Sequence, residues 1–274
     1  MSGQAMASDG TGFTVNANIN YYWRLVATGI CFVTFGLGAL TMVVVIFPLI
    51  RLFAKANKAK YSRWIIHKGF AAFLWFMQTS GVLKFEIKGS EKLRDCRNVL
   101  VLANHPTLID VIAIVAHMPY ASCIVKRALW DNFFVGGVVR AAEYISNSDP
   151  DNLIQDCAAD LRAGNPLLIF PEGTRSTPNK ALKFKRGAAH MALHSNVAIM
   201  PIVIRCQPST LTKGEKWYTI PPKKAHLLIE VFESISINTL VDTQDSSQIS
   251  ARQLTNTLER HFTEAIKKHG SVTA

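Results

Sequence analysis

The stretch VLVLANHPTLID, residues 99–110, says most about the fold. It begins with five apolar residues, Val99–Ala103, and continues directly into polar side chains and a candidate helix start at Asp110. Short apolar runs of this kind are typical of strands buried on both faces of a parallel sheet. Polar residues that follow such a strand lie where ligands bind in open α/β folds, at the carboxyl end of the strands.

Four further apolar runs follow, and stretches with helical periodicity separate them. The clearest predicted helix is Pro150–Arg162, with Ser148 or Asp149 as its cap and Gly164 after its end. Strands that alternate with helices predict an α/β fold with a mostly parallel sheet flanked by helices. The other predicted elements are strands at Ser122–Lys126, Leu167–Phe170, Ile199–Cys206 and Leu227–Phe232, and a closing amphipathic helix at Ile249–Lys268.

Upstream of this domain lies an uncharged run of 26 residues, Leu25–Ile50. As a helix it is about 39 Å long, more than the roughly 30 Å of a bilayer core, so we expect a transmembrane helix. Tyr21, Tyr22 and Trp23 precede the run at the position of an interfacial aromatic belt. A signal peptide fits poorly because the polar tract before Arg24 has no basic residue. A buried core helix is the other alternative, but a helix that is apolar on every face needs a larger protein around it.

The charges that flank this run predict its orientation. Residues 51–68 contain six basic residues and no acidic one, whereas Asp9 and Arg24 are the only charged residues among residues 1–24. The positive-inside rule places the chain after Arg51 in the cytoplasm, and we expect a single-pass protein of a bacterial inner membrane. The same cluster can attract anionic lipid headgroups. It consists of Arg51, Lys55, Lys58, Lys60, Arg63 and Lys68.

A second apolar stretch, residues 69–83, is shorter than the length that a helix usually needs to cross a bilayer. We expect an interfacial or re-entrant helix, with a core helix of the following domain as the alternative. The predicted organisation is a polar N-terminal tail (1–22), a transmembrane helix (23–51), a basic segment with the interfacial helix (52–83) and an α/β domain (84–274).

Composition limits the classes of function. The 274 residues carry 30 Lys and Arg against 19 Asp and Glu, a net charge of +11, which favours an anionic partner. We expect this partner to be lipid rather than nucleic acid, because six of the basic residues flank the apolar run and the chain has no recognised nucleic-acid module. Five scattered cysteines without a Cys-x-x-Cys pair exclude a disulfide scaffold and argue against a zinc site. His190 and His194 have a metal-compatible spacing but lack a third ligand, and we interpret them as ordinary helix residues.

The first polar cluster contains a candidate catalytic pair. His105 follows the strand at Val99–Ala103, and Asp110 lies five residues further on. An imidazole can remove a proton from a hydroxyl, and a carboxylate fixes its tautomer and stabilises the imidazolium. The chain has no Gly-x-Ser-x-Gly nucleophile motif, so the hydroxyl would belong to the substrate. The alternative is a capping box formed by Thr107 and Asp110 at the helix start, without a catalytic role.

The second cluster, Pro171-Glu172-Gly173-Thr174-Arg175-Ser176, follows the strand at Leu167–Phe170. A glycine in a tight turn lets backbone N–H groups approach an anion, and a guanidinium can bind phosphate through two hydrogen bonds. Glu172 could orient Arg175 or accept a hydrogen bond from a substrate hydroxyl. The alternative is an ordinary turn with a surface Glu–Arg pair.

Together, the two clusters resemble the glycerolipid (lysophosphatidic acid, PlsC-like) acyltransferase family over roughly residues 85–235. Ile124-Val125-Lys126, Phe184-Lys185-Arg186-Gly187 and Met200-Pro201-Ile202-Val203 are similar to further family blocks. The resemblance implies that His105 is the general base and Asp110 its partner. It also implies that Glu172, Gly173 and Arg175 help to bind the acceptor, within a block that includes Thr174. Acyl-CoA or acyl-ACP would be a co-substrate, and no metal or bound cofactor is expected.

The sequence departs from the family at residues 144–147. The family has an Ile-Asp-Arg-like segment there, whereas this chain reads Tyr144-Ile145-Ser146-Asn147, so Arg140 or Lys126 would have to bind phosphate instead. The leading hypothesis is a membrane-bound O-acyltransferase that acts on a lysophospholipid such as 1-acylglycerol-3-phosphate. The alternatives are the same chemistry on an aminoacyl, glycosyl or secondary-metabolite lipid, and a non-catalytic membrane adaptor.

Overall fold

The computed structural model describes residues 11–177, 180–241 and 247–270. Its sheet has seven strands: β1 (Leu83–Lys88), β2 (Leu100–Ala103), β3 (Ser122–Val125), β4 (Ile145–Ser146), β5 (Leu167–Ile169), β6 (Ile199–Gln207) and β7 (Ala225–Val231). They lie in the order β1-β7-β6-β2-β5-β3-β4. Only the β6–β7 pair is antiparallel among the strand pairs of the described chain. The expected mostly parallel sheet is confirmed, and β1 and β4 are the strands that the sequence pattern did not predict.

Eleven α-helices occur in the described chain, and most of them connect or cover the strands. The predicted helix at Pro150–Arg162 has those bounds, and the closing helix extends beyond the predicted range at both ends. The bounds are α1 (Thr11–Thr41), α2 (Phe47–Phe53), α3 (Lys58–Thr79), α4 (Glu91–Arg94), α5 (Asp110–Val115), α6 (Arg127–Trp130), α7 (Gly136–Ala141), α8 (Pro150–Arg162), α9 (Gly187–Ser195), α10 (Ile237–Leu240) and α11 (Ser247–Gly270), with a π-helical turn at Met42–Ile46 and a 3-10 turn at Lys55–Asn57.

The sheet is buried on both faces, which explains the apolar runs of its central strands. On one face α8, α9 and α11 form a compact layer, in which Leu254, Leu258 and Phe262 of α11 are buried at the predicted spacing of four. On the other face the sheet packs against α1, α3, α5 and α7. All four residues of β2 are buried because they lie between the two layers.

The N-terminal helices contain the predicted transmembrane segment. In the described chain one helix is long and apolar enough to cross a membrane, over Ile19–Phe53. One face of it, with Ala27, Cys31 and Phe47, is buried against the domain, whereas the opposite face exposes large apolar side chains. Residues 1–10 of the predicted polar tail lie outside the described residues, and residues 11–22 belong to α1. The exposed side chains include Val26, Ile30, Val33, Leu37, Val44 and Leu49.

Helix α3 combines the basic segment and most of the second apolar stretch. Its residues Ile66, Leu74 and Met77 are buried, and it packs against α5. This packing corresponds to the core-helix alternative, because the apolar face of α3 covers the sheet. Arg63, one of the six basic residues expected at the membrane surface, is buried: its Nε donates to the carbonyl of Ala142 and its Nη2 lies 3.3 Å from the Asp160 carboxylate.

Candidate active site

The two polar clusters meet at one edge of the sheet. His105 follows β2 and Glu172 follows β5, and these strands are paired in parallel. Their carboxyl ends therefore lie side by side, as the strand pattern predicted. Asn104 fixes the end of β2 to its other neighbour, β6, because its amide exchanges two hydrogen bonds with the backbone of Ile204, at 2.8 and 2.7 Å. In the sequence, only the position of Asn104 directly before His105 indicates that this residue belongs to the site.

His105 and Asp110 form the expected pair. The imidazole Nδ1 lies 2.8 Å from Asp110 Oδ2, and the ring stacks on Phe170 with centroids 4.2 Å apart. Because Nδ1 is occupied by the carboxylate, Nε2 is the ring nitrogen left to contact a substrate in the adjoining cavity, which His105 lines. This is the arrangement that orients a histidine as a general base.

Asp110 also makes the carboxylate half of the predicted capping box, because it accepts hydrogen bonds from Thr107, but the first turn of α5 has no side-chain cap. Oδ2 accepts the backbone N–H of Thr107 at 2.7 Å, and Oδ1 accepts the Thr107 hydroxyl at 2.6 Å. Asp110 is 0% exposed, and this burial raises its pKa, whereas the hydrogen bonds from His105 and Thr107 lower it. Thr107, three residues before Asp110, thereby supplies hydrogen bonds that favour the ionised form of this carboxyl.

Glu172 contacts the backbone of the first cluster. Its Oε1 accepts the N–H of His105 at 2.9 Å and the hydroxyl of Ser176 at 2.8 Å. Ser176 in turn donates its backbone N–H to the carbonyl of His105 at 2.7 Å. Burial raises the pKa of Glu172, and the hydrogen bonds from His105 and Ser176 oppose the rise. The predicted Glu172–Arg175 contact is not among the described interactions: Glu172 Oε1 accepts from His105 and Ser176, whereas Arg175 donates to backbone carbonyls of another loop.

Gly173 forms the predicted turn. Its N–H donates to the carbonyl of Phe170 at 2.9 Å, and its φ of +68° lies in the region that favours glycine. A Cβ at this position would also come within 3.0 Å of the Lys185 side chain. Thr174 is half-buried and lines the cavity together with Gly173.

Arg175 makes contacts that the sequence did not predict. Its Nη1 donates to the carbonyls of Leu211 and Thr212, at 2.8 and 3.0 Å. These two residues belong to the connection between β6 and β7, which carries no recognisable motif. Leu211 has a φ of +51°, a backbone conformation that non-glycine residues seldom adopt. Arg175 therefore holds a neighbouring loop as well as lining the cavity.

A cavity of about 1120 Å³ extends from His105 between the sheet and the N-terminal helices. This volume is just above the roughly 300–1,000 Å³ that is usual for small-molecule sites, and most of the lining is apolar. Lys126, Tyr144 and Asn147 line it, so the altered segment does face the site. Arg140, one of the two proposed substitutes for the missing arginine, is not among the described lining residues, because its guanidinium donates to the carbonyl of Trp130.

The described residues contain no group of three or more His, Cys, Asp or Glu side chains that could hold a metal ion. His190 and His194 lie on α9, where His190 is half-buried and His194 is exposed. The five cysteines are free thiols, and burial raises the pKa of Cys123, which lines the cavity, to about 12.

Comparison with known proteins gives consistent similarities. Residues 84–205 match the family model described as Acyltransferase. The chain is 26% identical over 174 residues to human 1-acyl-sn-glycerol-3-phosphate acyltransferase beta, covering 59% of this chain and 60% of the relative. It is 27% identical over 184 residues to 1-acyl-sn-glycerol-3-phosphate acyltransferase of Cocos nucifera, covering 58% of each chain. The matched part thus spans less than two thirds of either relative.

The fold is also similar to a solved structure. The crystal structure of the 1-acyl-sn-glycerophosphate (LPA) acyltransferase PlsC from Thermotoga maritima superposes with a TM-score of 0.66. The superposition covers 92% of this chain and 99% of the other, at 20% sequence identity. At this identity the likeness supports the fold, and it includes the N-terminal helices because so little of the chain is left out.

Proposed function

We propose that the chain is a membrane-bound O-acyltransferase of the glycerolipid (PlsC-like) acyltransferase family, and that it uses acyl-CoA or acyl-ACP to acylate a lysophospholipid such as 1-acylglycerol-3-phosphate. The observation that carries the proposal is the His105–Asp110 pair, with Nδ1 and Oδ2 2.8 Å apart, at the end of a large apolar cavity. The names of the curated relatives support the acceptor.

In the proposed reaction the acceptor hydroxyl lies against Nε2 of His105. The imidazole removes the hydroxyl proton while the oxygen attacks the carbonyl carbon of the thioester, and a new C–O bond forms. The C–S bond then breaks, and the leaving thiolate takes the proton from the imidazolium. Asp110 keeps Nδ1 protonated and stabilises the imidazolium between these steps. No enzyme nucleophile takes part, so binding both substrates in reacting positions supplies much of the rate enhancement.

The cavity suits a fatty acyl chain. Its apolar walls come from α1, α3 and α5, with Phe35, Phe70, Phe73 and Ile112 among the lining residues. An acyl chain that enters it from the bilayer leaves one apolar environment for another, so the thioester can lie at His105 while the tail stays out of water.

The proposed location is the cytoplasmic face of a bacterial inner membrane. The basic residues between 51 and 68 support the orientation, and the exposed apolar face of α1 and α2 is the surface that would contact lipid. The opposite face of α1 contacts the domain, since Arg24, Cys31 and Ala39 line the same cavity as His105. These contacts hold the domain against α1, so the domain would lie at the membrane surface beside this helix.

A second candidate differs only in its acceptor. Because Tyr144-Ile145-Ser146-Asn147 replaces the arginine-containing segment, an aminoacyl, glycosyl or secondary-metabolite lipid remains an alternative to a glycerol phosphate. The chemistry at His105 would be the same.

The test is thiol release from acyl-CoA and, separately, from acyl-ACP, with purified protein in lipid nanodiscs. The acceptors are lysophosphatidic acid, other lysophospholipids, and neutral glycosyl and aminoacyl lipids. We expect transfer to lysophosphatidic acid that is lost in His105→Ala and retained in His194→Ala, which changes an exposed histidine on α9. Transfer only to a phosphate-free lipid would favour the second candidate. Absence of transfer from either donor to every acceptor would contradict both and favour a membrane adaptor.

A further inference from the structure

Residues 208–222 make up most of the connection between β6 and β7, and we call this segment the strap. Thr210, Leu211, Ile220 and Pro221 of the strap line the cavity, and its exposed Lys213 lines the solvent side of the cavity, the mouth. The far end of the strap is bound to α1, because the guanidinium of Arg24 donates to the carbonyls of Pro221 and Pro222. Trp217 packs on the same helix, with its ring 6.0 Å from that of Phe32 and in contact with the position of Gly29. The strap thus joins the sheet edge at the catalytic pair to the N-terminal helices.

The near end of the strap is fixed by both polar clusters. The carbonyl of Leu211 accepts hydrogen bonds from Arg175 Nη1 at 2.8 Å and from the backbone N–H of Leu108 at 3.2 Å. Thr212 accepts the second bond from Arg175 through its carbonyl, and its N–H donates to the Glu215 carboxylate at 2.8 Å. Leu211 and Thr212 are buried, so this corner has a defined backbone position from which the next residue, Lys213, extends.

Four Lys and Arg side chains line the cavity in the described chain, and they differ in what they contact. Arg24 and Arg175 donate to backbone carbonyls of the strap. Lys126 and Lys213 are exposed, and no hydrogen bond or ion pair of their ammonium groups occurs among the described residues. A lysine that faces a cavity without an ion-pair partner among the described residues can bind an anionic ligand through its positive charge. Lys126 approaches from the end of β3 and Lys213 from the strap.

We propose that Lys213 is a phosphate-binding residue at the mouth of the cavity, positioned by Arg175 through the carbonyls of Leu211 and Thr212. The inference rests on the proposed function and supplies a positive charge that the segment 144–147 lacks. The phosphate belongs either to the acceptor headgroup or to the coenzyme A part of the donor, since both would enter at this mouth.

The test compares Lys213→Ala with Lys216→Ala, which removes an exposed lysine of the strap that stacks on Tyr218 and does not line the described cavity. KM and kcat are measured in nanodiscs of uncharged lipid. One arm pairs lysophosphatidic acid with monoacylglycerol as acceptors. The other pairs acyl-CoA with acyl-pantetheine, which carries no phosphate, as donors.

We expect Lys213→Ala to raise the KM for one phosphate-bearing substrate about tenfold, with kcat changed by less than about twofold. A rise for lysophosphatidic acid alone assigns Lys213 to the acceptor, and a rise for acyl-CoA alone assigns it to the donor. Lys213→Arg should restore the wild-type KM, and Lys216→Ala should match wild type. An unchanged KM for both phosphate-bearing substrates, or an equal rise for the phosphate-free ones, would overturn the proposal.

The role of Arg175 is tested with Arg175→Lys and the double variant Arg175→Lys/Lys213→Ala. If Arg175 acts through the corner that carries Lys213, its variant raises the same KM and the double variant adds little to either single change. Fully additive effects would contradict this positioning role. If the wild-type protein transfers no acyl group, the proposed function fails. Calorimetry then measures the affinities of wild type and Lys213→Ala for coenzyme A and for lysophosphatidic acid. A weaker affinity of the variant for one of them supports the inference, and equal affinities of the two proteins overturn it.

Discussion

Glu172 accepts a hydrogen bond from the backbone N–H of His105, with Oε1 2.9 Å from the nitrogen. Together with the bond from Ser176 N–H to the His105 carbonyl, at 2.7 Å, it holds His105 on both sides of its backbone. The Asp110 carboxylate holds the imidazole at Nδ1. The backbone and the ring of His105 are therefore positioned by separate elements, since Glu172 follows β5 and Asp110 begins α5.

This contact predicts different results for two substitutions of Glu172. Glu172→Gln keeps an oxygen that can accept the His105 N–H, and we expect kcat to stay within about tenfold of wild type. Glu172→Ala leaves the His105 N–H and the Ser176 hydroxyl without this acceptor, and we expect a lower kcat and a loss of about 1–3 kcal/mol in the free energy of unfolding. Enzyme kinetics and denaturant unfolding in detergent measure the two effects. Equal kcat values for the two variants would contradict the positioning role.

The pH dependence of stability follows from the burial of Glu172, which raises its pKa above the ordinary value for a glutamate. Folding therefore favours the protonated carboxyl, and its contribution to stability is complete below the unfolded-state pKa and is lost as pH rises through the folded-state pKa. Glu172→Gln does not titrate. We expect the unfolding free energy of this variant, minus that of wild type, to increase from acidic to neutral pH and then to level off. Glu91→Gln, at an exposed position, gives the baseline, and a decrease with rising pH would contradict the sign.

Asp110→Asn tests the orientation of His105. The amide cannot hold Nδ1–H as a carboxylate does, and one of its two polar atoms is a donor where Thr107 also donates. We expect kcat to fall about 10²–10⁴-fold with a smaller change in KM, because the loss is in proton transfer. Circular dichroism checks that the variant is folded, and Asp156→Asn on the exposed side of α8 is the control. A kcat equal to that of wild type would remove Asp110 from the catalytic pair.

The parts of the fold that the sequence predicted share one physical cause. The predicted strands are buried on both faces, so side chains on both faces are apolar and each strand is a continuous apolar run in the sequence. Strand β1 escaped prediction because it lies at the edge of the sheet and carries Lys84, Glu86 and Lys88 among its apolar residues. Strand β4 lies at the other edge and has only two residues, Ile145 and Ser146.

The same distinction applies to the site. His105, Asp110 and Glu172 could be singled out from the sequence because polar, titratable side chains directly after adjacent strands are candidates for a site. The strap was not predicted, since backbone carbonyls bind Arg175 and any residue type can supply a carbonyl. The burial of Arg63 was missed for a similar reason, as its acceptors are the carbonyl of Ala142 and an aspartate on a distant helix.

The docking of the N-terminal helices depends on close approach at Gly137. A Cβ at this position of α7 would lie 2.5 Å from Cγ2 of Val43, in the π-helical turn that follows α1, whereas a Cβ at Gly36 would meet nothing within 4 Å. Replacing a helical glycine by alanine usually stabilises a helix by about 0.5–1 kcal/mol. We expect Gly36→Ala to follow that rule.

Gly137→Ala should lower the stability of the protein. Val43 has a short, branched side chain that cannot rotate away from the new methyl group, so α7 and the π-helical turn must move apart. Overpacking of this kind costs about 1–3 kcal/mol, which exceeds the gain in helix propensity. Thermal unfolding in one detergent gives the comparison, with a lower Tm expected for Gly137→Ala and an equal or higher one for Gly36→Ala. The double variant Gly137→Ala/Val43→Ala removes the overlapping methyl groups and should recover part of the loss. If Gly137→Ala were as stable as Gly36→Ala, the π-helical turn would not be packed on α7 as described.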